Sequence, residues 1–229
     1  MSEKLNDQEM ISAEKILTPD INFNFCIAYA DFKDNDANTM KDWCFACLQK
    51  LYPAHQVYLS KLTCKKVFLI NTRIQAYAEA RRDIRGNLVF LDTDIVACNP
   101  LPNIWVEPFD IGITKGSYDS PYNLQPFNGG MIFAQDTPGA QYFFDYIHNV
   151  CLNTMEGVYT NGWFVDQLAM GKAWDTQQDK VHFKVLNSKY NYFPDHTNDE
   201  GDDPFFMHFK GERKYFMHEY VNKVLNAAT

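Results

Sequence analysis

The run Leu88-Val89-Phe90-Leu91, entered from Gly86-Asn87 and ended by Asp92-Thr93-Asp94, constrains this chain more than any other stretch. Four consecutive apolar residues behind a turn signal describe a strand with no solvent face, the condition of a central strand in a parallel sheet covered by helices on both sides. Carboxylates do not follow into such a layer unpaired, so Asp92 and Asp94 mark where the strand leaves it. If the backbone stays extended there, both point the same way. Two hard oxygen ligands at the carboxyl end of a buried strand suit a divalent cation carrying phosphates, because open α/β sheets bind ligands at that edge. The same pair would also serve as an acidic, solvated turn, and the rest of the chain has to separate the two readings.

The segments around this run alternate in type. Ile21 to Ala30 reads as a first strand ending at Asp31, followed by a polar loop to Asn38 that lacks the glycine a calcium loop needs. Asn38 is placed to cap a helix carrying the stripe Met40, Trp43, Cys44, Cys47, Leu48 and Leu51, which Tyr52-Pro53 stops. Val57 to Leu59 and Val67 to Ile70 read as short strands, and Thr72 to Asp83 as a helix. Strands are expected again at Asp110 to Thr114 and Met131 to Ala134. Thr137-Pro138 starts a helix running to about Cys151, and Trp163 starts another. Strand, helix, strand, helix, strand predicts an α/β domain with a mostly parallel sheet over residues 21–229, behind an N-terminal extension of residues 1–20.

Several function classes lose their support. No Gly-x-Gly-x-x-Gly follows the first strand and no Gly-x-x-x-x-Gly-Lys occurs, so dinucleotide and P-loop phosphate binding are not indicated. A net charge of −8 argues against general affinity for nucleic-acid backbone or anionic membrane. The first twenty residues contain no long apolar core, so neither signal peptide nor membrane anchor is expected. Six cysteines lying mostly in apolar runs read as reduced thiols in a cytoplasmic protein, and Cys44-x-x-Cys47 as part of a helix core.

Three further motifs carry chemistry. Asn128-Gly129-Gly130 enters a strand with two glycines, which permits close approach of a ligand or of another backbone, or makes a plain turn. Asp166-Gln167 puts an acid and an amide near a helix start, where an acid is commonly a dipole partner. His208-x-x-Gly211-x-x-Lys214 ends an apolar run; a neutral imidazole there can complete a metal site or sit satisfied in a core, and a lysine after a tight glycine turn can reach a phosphate.

Leu91-Asp92-Thr93-Asp94, Asn128-Gly129-Gly130, Asp166-Gln167 and His208-x-x-Gly211-x-x-Lys214 occur in the order and rough spacing of the retaining nucleotide-sugar glycosyltransferases of family 8, and the chain resembles glycogenin and the bacterial galactosyltransferases of that family over residues 21–215. The resemblance implies a single-domain GT-A fold and transfer of a sugar, with retention, from a nucleotide-diphosphate sugar, a UDP-sugar in the first instance. It implies Mn²⁺, with Mg²⁺ as the alternative ion, held by Asp92, Asp94 and His208. Ala28, Asp31, Thr93, Gly129, Gly211 and Lys214 are implied around the donor, and Asn128, Asp166 and Gln167 around the sugar and its reacting carbon. Arg73 and Arg81 both suit the basic residue that such enzymes place ahead of the acidic pair, and Arg81 is counted with the donor-binding residues. The acceptor side is open between a glycan, a protein and a modified DNA base, and the family's Pro-Trp after the lysine is replaced by Tyr215-Phe216. A nucleotidyltransferase such as a sugar-nucleotide pyrophosphorylase, or a non-catalytic nucleotide-sugar-binding module, are the alternatives.

Overall fold

Alternation along the first strand decides how the layers form. In β1 (Phe23–Ala30), Phe23, Phe25 and Ile27 enter one apolar layer and Cys26, Ala28 and Ala30 another, as extended backbone requires. Such a strand needs cover on both faces. The computed structural model describes residues 23–30, 37–65, 68–115, 127–155 and 164–227, and it supplies that cover from helices on each side. On one side, Met40, Cys44, Cys47 and Leu48 of α1 (Ala37–Leu51) join Met217, Tyr220 and Val221 of α5 (Met217–Asn226) in the layer that holds Phe25. On the other, Ile74 and Tyr77 of α2 (Leu69–Asp83), Phe143, Phe144 and Ile147 of α3 (Pro138–Met155) and Met170 of α4 (Val165–Thr176) share a layer with Cys26.

The central sheet has the order β2-β1-β3-β6-β5-β7, where β2 is Val57–Leu62, β3 Asn87–Leu91, β5 Ile111–Lys115, β6 Phe127–Ala134 and β7 Phe183–Leu186. β1 runs parallel to β2 and β3, β5 runs parallel to β7, and β6 is antiparallel to both β3 and β5. Five strands therefore share a direction and one opposes them, so the expected mostly parallel α/β sheet is what forms. Leu88 to Leu91 are fully buried, as a strand with helices on both faces must be. A second, two-stranded sheet pairs β4 (Ile95–Ala97) with β8 (Phe206–His208) antiparallel, with Ile95 opposite His208.

The structure corrects several local expectations. Leu69 and Ile70 belong to the start of α2 and not to a strand, because a short apolar run fits a buried helix turn as well as a strand. Asn38 lies inside α1, which begins at Ala37. β6 starts at Phe127, so Asn128-Gly129-Gly130 are strand residues and not a turn before one. Thr137 does cap α3, its Oγ1 accepting from the Ala140 N–H at 3.1 Å. All six cysteines are free, and burial pushes the Cys44 and Cys47 thiols up, the latter to about 12, which leaves them as core residues. The N-terminal extension, Asp31, residues 116–126 and Trp163 lie outside the described residues.

Arg81 belongs to this framework. At the carboxyl end of α2 it donates to the carbonyls of Gly86 (2.7 Å) and Ile84 (2.5 Å) and pairs with Asp136 at 3.0 Å, locking the turn into β3 where Gly86 takes a positive φ of 87°. Arg81→Ala leaves two carbonyls without their donor and Asp136 with only the Gly86 N–H, at 2.8 Å, as a hydrogen-bond donor, at a cost of about 2–3 kcal/mol. It should lower the urea midpoint at unchanged m; a midpoint equal to wild type would show that the turn holds without it.

Candidate active site

Both ends of the Asp92-Thr93-Asp94 segment are fixed by backbone bonds, which is what lets two carboxylates meet a histidine from far along the chain. The Asp92 N–H donates to the Gly130 carbonyl at 2.8 Å, and the Phe209 N–H donates to the Asp94 carbonyl at 2.8 Å. Between them the chain turns at Thr93 and Asp94 instead of continuing extended, so the carboxylates converge through a turn and not through strand alternation. The β4–β8 ladder then sets His208 beside Asp94. Oxygen atoms of Asp92 and Asp94 and a ring nitrogen of His208 all lie within 4.8 Å of one another.

Two glycines make room for this. A Cβ on Gly130 would stand 2.3 Å from the Cε1 of His208, and a Cβ on Gly129 would stand 2.6 Å from the Oδ2 of Asp166. Any side chain at either position would displace a site residue. Asn128, next in line, is 4% exposed and turns its Oδ1 inward, accepting from the Gly130 N–H at 2.8 Å and from the Asn191 Nδ2 at 3.0 Å.

The charges are arranged in two linked groups. Asp94 is buried, which taken alone would raise its pKa, but His208 Nε2 at 3.4 Å and Lys214 Nζ at 2.9 Å outweigh that and hold its carboxyl below the ordinary carboxylate range. Arg73, near the start of α2, forms ion pairs with both Asp92 and Asp166. Burial works against its charged form, yet the two carboxylates carry its pKa above the usual arginine value. Asp166 is 1% exposed, and burial raises its pKa, opposed by Arg73 and by the Gln167 N–H that donates to its Oδ1 at 2.8 Å. Asp92 adds to the effect of burial and the net direction is upward, with Arg73 the group that most favours the ionised form.

The sequence-predicted residues thus divide clearly. Asp92, Asp94, His208, Lys214, Asn128, Gly129, Asp166 and Gln167 are brought together. Thr93 lies in the turn, Ala28 is buried near the carboxyl end of β1, and Gly211, with φ 66° and no atom within 4 Å of a Cβ, starts the 3-10 segment that carries Lys214. Arg81 is not with them; of the two arginines, Arg73 meets the acidic pair. Position along the helix distinguishes them, since a crossover helix starts at the carboxyl edge of the sheet it packs on, which puts Arg73 at the ligand edge and Arg81 at the other. Asn191, buried among Thr114, Asn128 and His208, gave no such signal.

The donor set fits a divalent cation. Two carboxylates and one imidazole face each other, the imidazole seated where Gly130 lacks a side chain, and together they form a mixed oxygen and nitrogen set that suits first-row divalent metals.

Comparison with known proteins bears on the fold and on the family. A glycosyltransferase involved in the glycosylation of the major capsid of PBCV-1 superposes with a TM-score of 0.58 at 13% identity, covering 86% of this chain and 98% of that one. The glycosyltransferase GlyE of Streptococcus pneumoniae TIGR4 superposes with a TM-score of 0.58 at 11% identity over 89% of this chain and 63% of its own longer chain, and its apo form with 0.56 at 12% identity over 90% and 63%. At such identities the likeness shows the fold, which is GT-A. No curated protein sequence matches. The model of one sequence family, nucleotide-diphospho-sugar transferase, matches residues 83–218, more than half of the chain and all of the segment from β3 through Lys214, and the chain belongs to that family.

Proposed function

We propose that this protein transfers a sugar from a nucleotide-diphosphate sugar, in the first instance a UDP-sugar, to an acceptor with retention of anomeric configuration, using a divalent cation, Mn²⁺ before Mg²⁺, held by Asp92, Asp94 and His208. The convergence of those three side chains carries the reading. Mn²⁺ is preferred over Mg²⁺ because an imidazole nitrogen departs from the all-oxygen shell that Mg²⁺ favours. When bound, the cation supplies Lewis acidity at the leaving diphosphate.

The chain's own residues supply the rest. Lys214 is part-exposed and its ammonium lies on Asp94 at 2.9 Å, so it would be on hand for a diphosphate brought by a cation that Asp94 holds. A point charge there neutralises the oxygens on which charge develops as the sugar leaves. Asp166 lies across Arg73 from Asp92 and under Gly129, where an ionised carboxylate can stabilise positive charge growing at the anomeric carbon. Its burial favours this electrostatic role over nucleophilic attack. In a retaining transfer the acceptor approaches on the leaving-group face and the departing phosphate takes its proton. The acceptor is a glycan, a protein or a modified DNA base. Among the described residues no helix is long and apolar enough to cross a membrane.

Three outcomes are expected. Calorimetry should show Mn²⁺-dependent binding of UDP that is lost in EDTA and in Asp94→Ala; UDP affinity unchanged by both would sink the metal reading. Lys214→Ala should weaken UDP binding by about 1.5–3 kcal/mol while leaving uridine binding near wild type, and equal losses for both ligands would take Lys214 off the diphosphate. Asp166→Asn should cut turnover of the nucleotide sugar about 10²- to 10³-fold with UDP affinity intact, and NMR of the wild-type product should show the donor's anomeric configuration. A mutant near wild-type turnover would reduce Asp166 to a helix-start residue.

A further inference from the structure

A chain of buried hydrogen bonds runs from a backbone amide of β6 to the ring of His208, and each link has a direction. The first link is fixed, because a backbone N–H can only donate: Gly130 N–H donates to Asn128 Oδ1 at 2.8 Å. That oxygen is therefore an acceptor, and the atom of Asn191 lying 3.0 Å from it must be the NH₂ group. The second hydrogen of the same NH₂ meets Thr114 Oγ1 at 3.0 Å. Turning the Asn191 amide over would set two carbonyl oxygens against each other in a site where no water can intervene, since Thr114, Asn128, Asn191 and His208 are each 4% exposed or less. With the amide held this way, Asn191 Oδ1 faces His208 Nδ1 at 3.1 Å. An acceptor there requires a proton on Nδ1. The other ring nitrogen, Nε2, is the one that faces Asp94 Oδ1 at 3.4 Å.

We infer that Asn191 is a positioning residue that keeps the neutral His208 imidazole in the Nδ1–H tautomer, so that the Nε2 lone pair points into the Asp92–Asp94 cluster ready to ligate a divalent cation. The purpose of this tautomer rests on the metal reading above, but the tautomer itself does not. It has a chemical consequence for the resting site. A positive charge taken up at Nε2, whether a proton or a divalent cation, lies directly against Asp94 Oδ1 at 3.4 Å, while Lys214 occupies the other oxygen of that carboxylate at 2.9 Å. The Phe193 ring packs beside the imidazole, with ring centroids 5.1 Å apart.

The test reads the tautomer directly. In metal-free protein labelled with ¹⁵N-histidine, at a pH where the ring is neutral, two-bond ¹H–¹⁵N correlation should show a protonated Nδ1 and an unprotonated Nε2 for His208, assigned by the loss of its signals in His208→Gln. Asn191→Leu should release that preference and raise the Kd for Mn²⁺ about 10- to 100-fold. Asn191→Gln, which keeps both an acceptor for Nδ1–H and an NH₂ group for Asn128 Oδ1, should hold the tautomer and most of the Mn²⁺ affinity. A merely structural Asn191 would lower thermal stability in both variants alike and leave tautomer and affinity untouched. The wild-type spectrum decides even if Asn191→Leu does not fold, because a proton found on Nε2 overturns the inference alone, with Mn²⁺ binding unaffected. A wild-type Nδ1 proton with no Mn²⁺ binding would instead remove the metal reading, and with it the ligand role of Nε2.

Discussion

The site depends first on two side chains that are missing. β6 lies between β3 and β5, buried along its length, and a central strand normally fills both its faces with side chains. At Gly129 and Gly130 it fills neither, and the ring of His208 and the carboxylate of Asp166 take the space against opposite faces of the backbone. Glycine in a strand is conformationally costly by roughly 0.5–1 kcal/mol each, and that cost is accepted where ionisable groups must come within van der Waals contact of the sheet. A methyl group at either position would push the histidine or the carboxylate outward and separate the charges on which everything else is built.

With the side chains admitted, electrostatics has to hold them. Asp92, Asp94 and Asp166 bring three carboxylates into a poorly solvated region, and the chain answers with Arg73 between two of them and Lys214 and His208 around the third. A buried pair of this kind contributes little net stability, because desolvation cancels much of the attraction, whereas removing one partner leaves a stranded charge. The arrangement is therefore better understood as preorganisation: charges held in place before any ligand arrives need not be reoriented during the reaction. It also explains why Arg73, a residue with no metal-binding chemistry, sits between Asp92 and Asp166.

Sequence reasoning reached the site through residues whose type and position were both unusual. The apolar run ending in Asp92-Thr93-Asp94 was legible because a strand buried on both faces leaves a signature in four letters, and the paired glycines and the spaced His208, Gly211 and Lys214 were legible because ordinary strands and loops rarely need them. What stayed hidden depended on tertiary contact. Arg73 and Arg81 lie about two turns apart on one helix, and only the direction of α2 relative to the sheet separates a site residue from a turn lock. Asn191 sits in an irregular segment after a 3-10 turn, where no periodicity reports which way a side chain points. β4 and β7 are too short to stand out from the loops around them, whereas α5 does carry an apolar stripe, Met217, Tyr220 and Val221, at helical spacing.

The reversed strand explains why so many elements contribute to one small region. A purely parallel sheet offers only strand ends and the helix starts that follow them at its carboxyl edge. Because β6 runs against β3, its beginning arrives at the edge where β3 finishes, and Asp92 N–H bonds to Gly130 O across that junction. Residues that open a strand thereby meet residues that close one. The starts of α2 and α4 point to the same edge and bring Arg73 and Asp166 with them, while the β4–β8 ladder brings His208 from the far end of the chain. Backbone amides from the opening of β6 then become available to orient side chains, and the Gly130 N–H does so through Asn128 and Asn191 as far as the His208 ring. In a sheet with β6 parallel to its neighbours those amides would lie at the opposite edge, and no hydrogen bond from this strand's entry could reach the histidine.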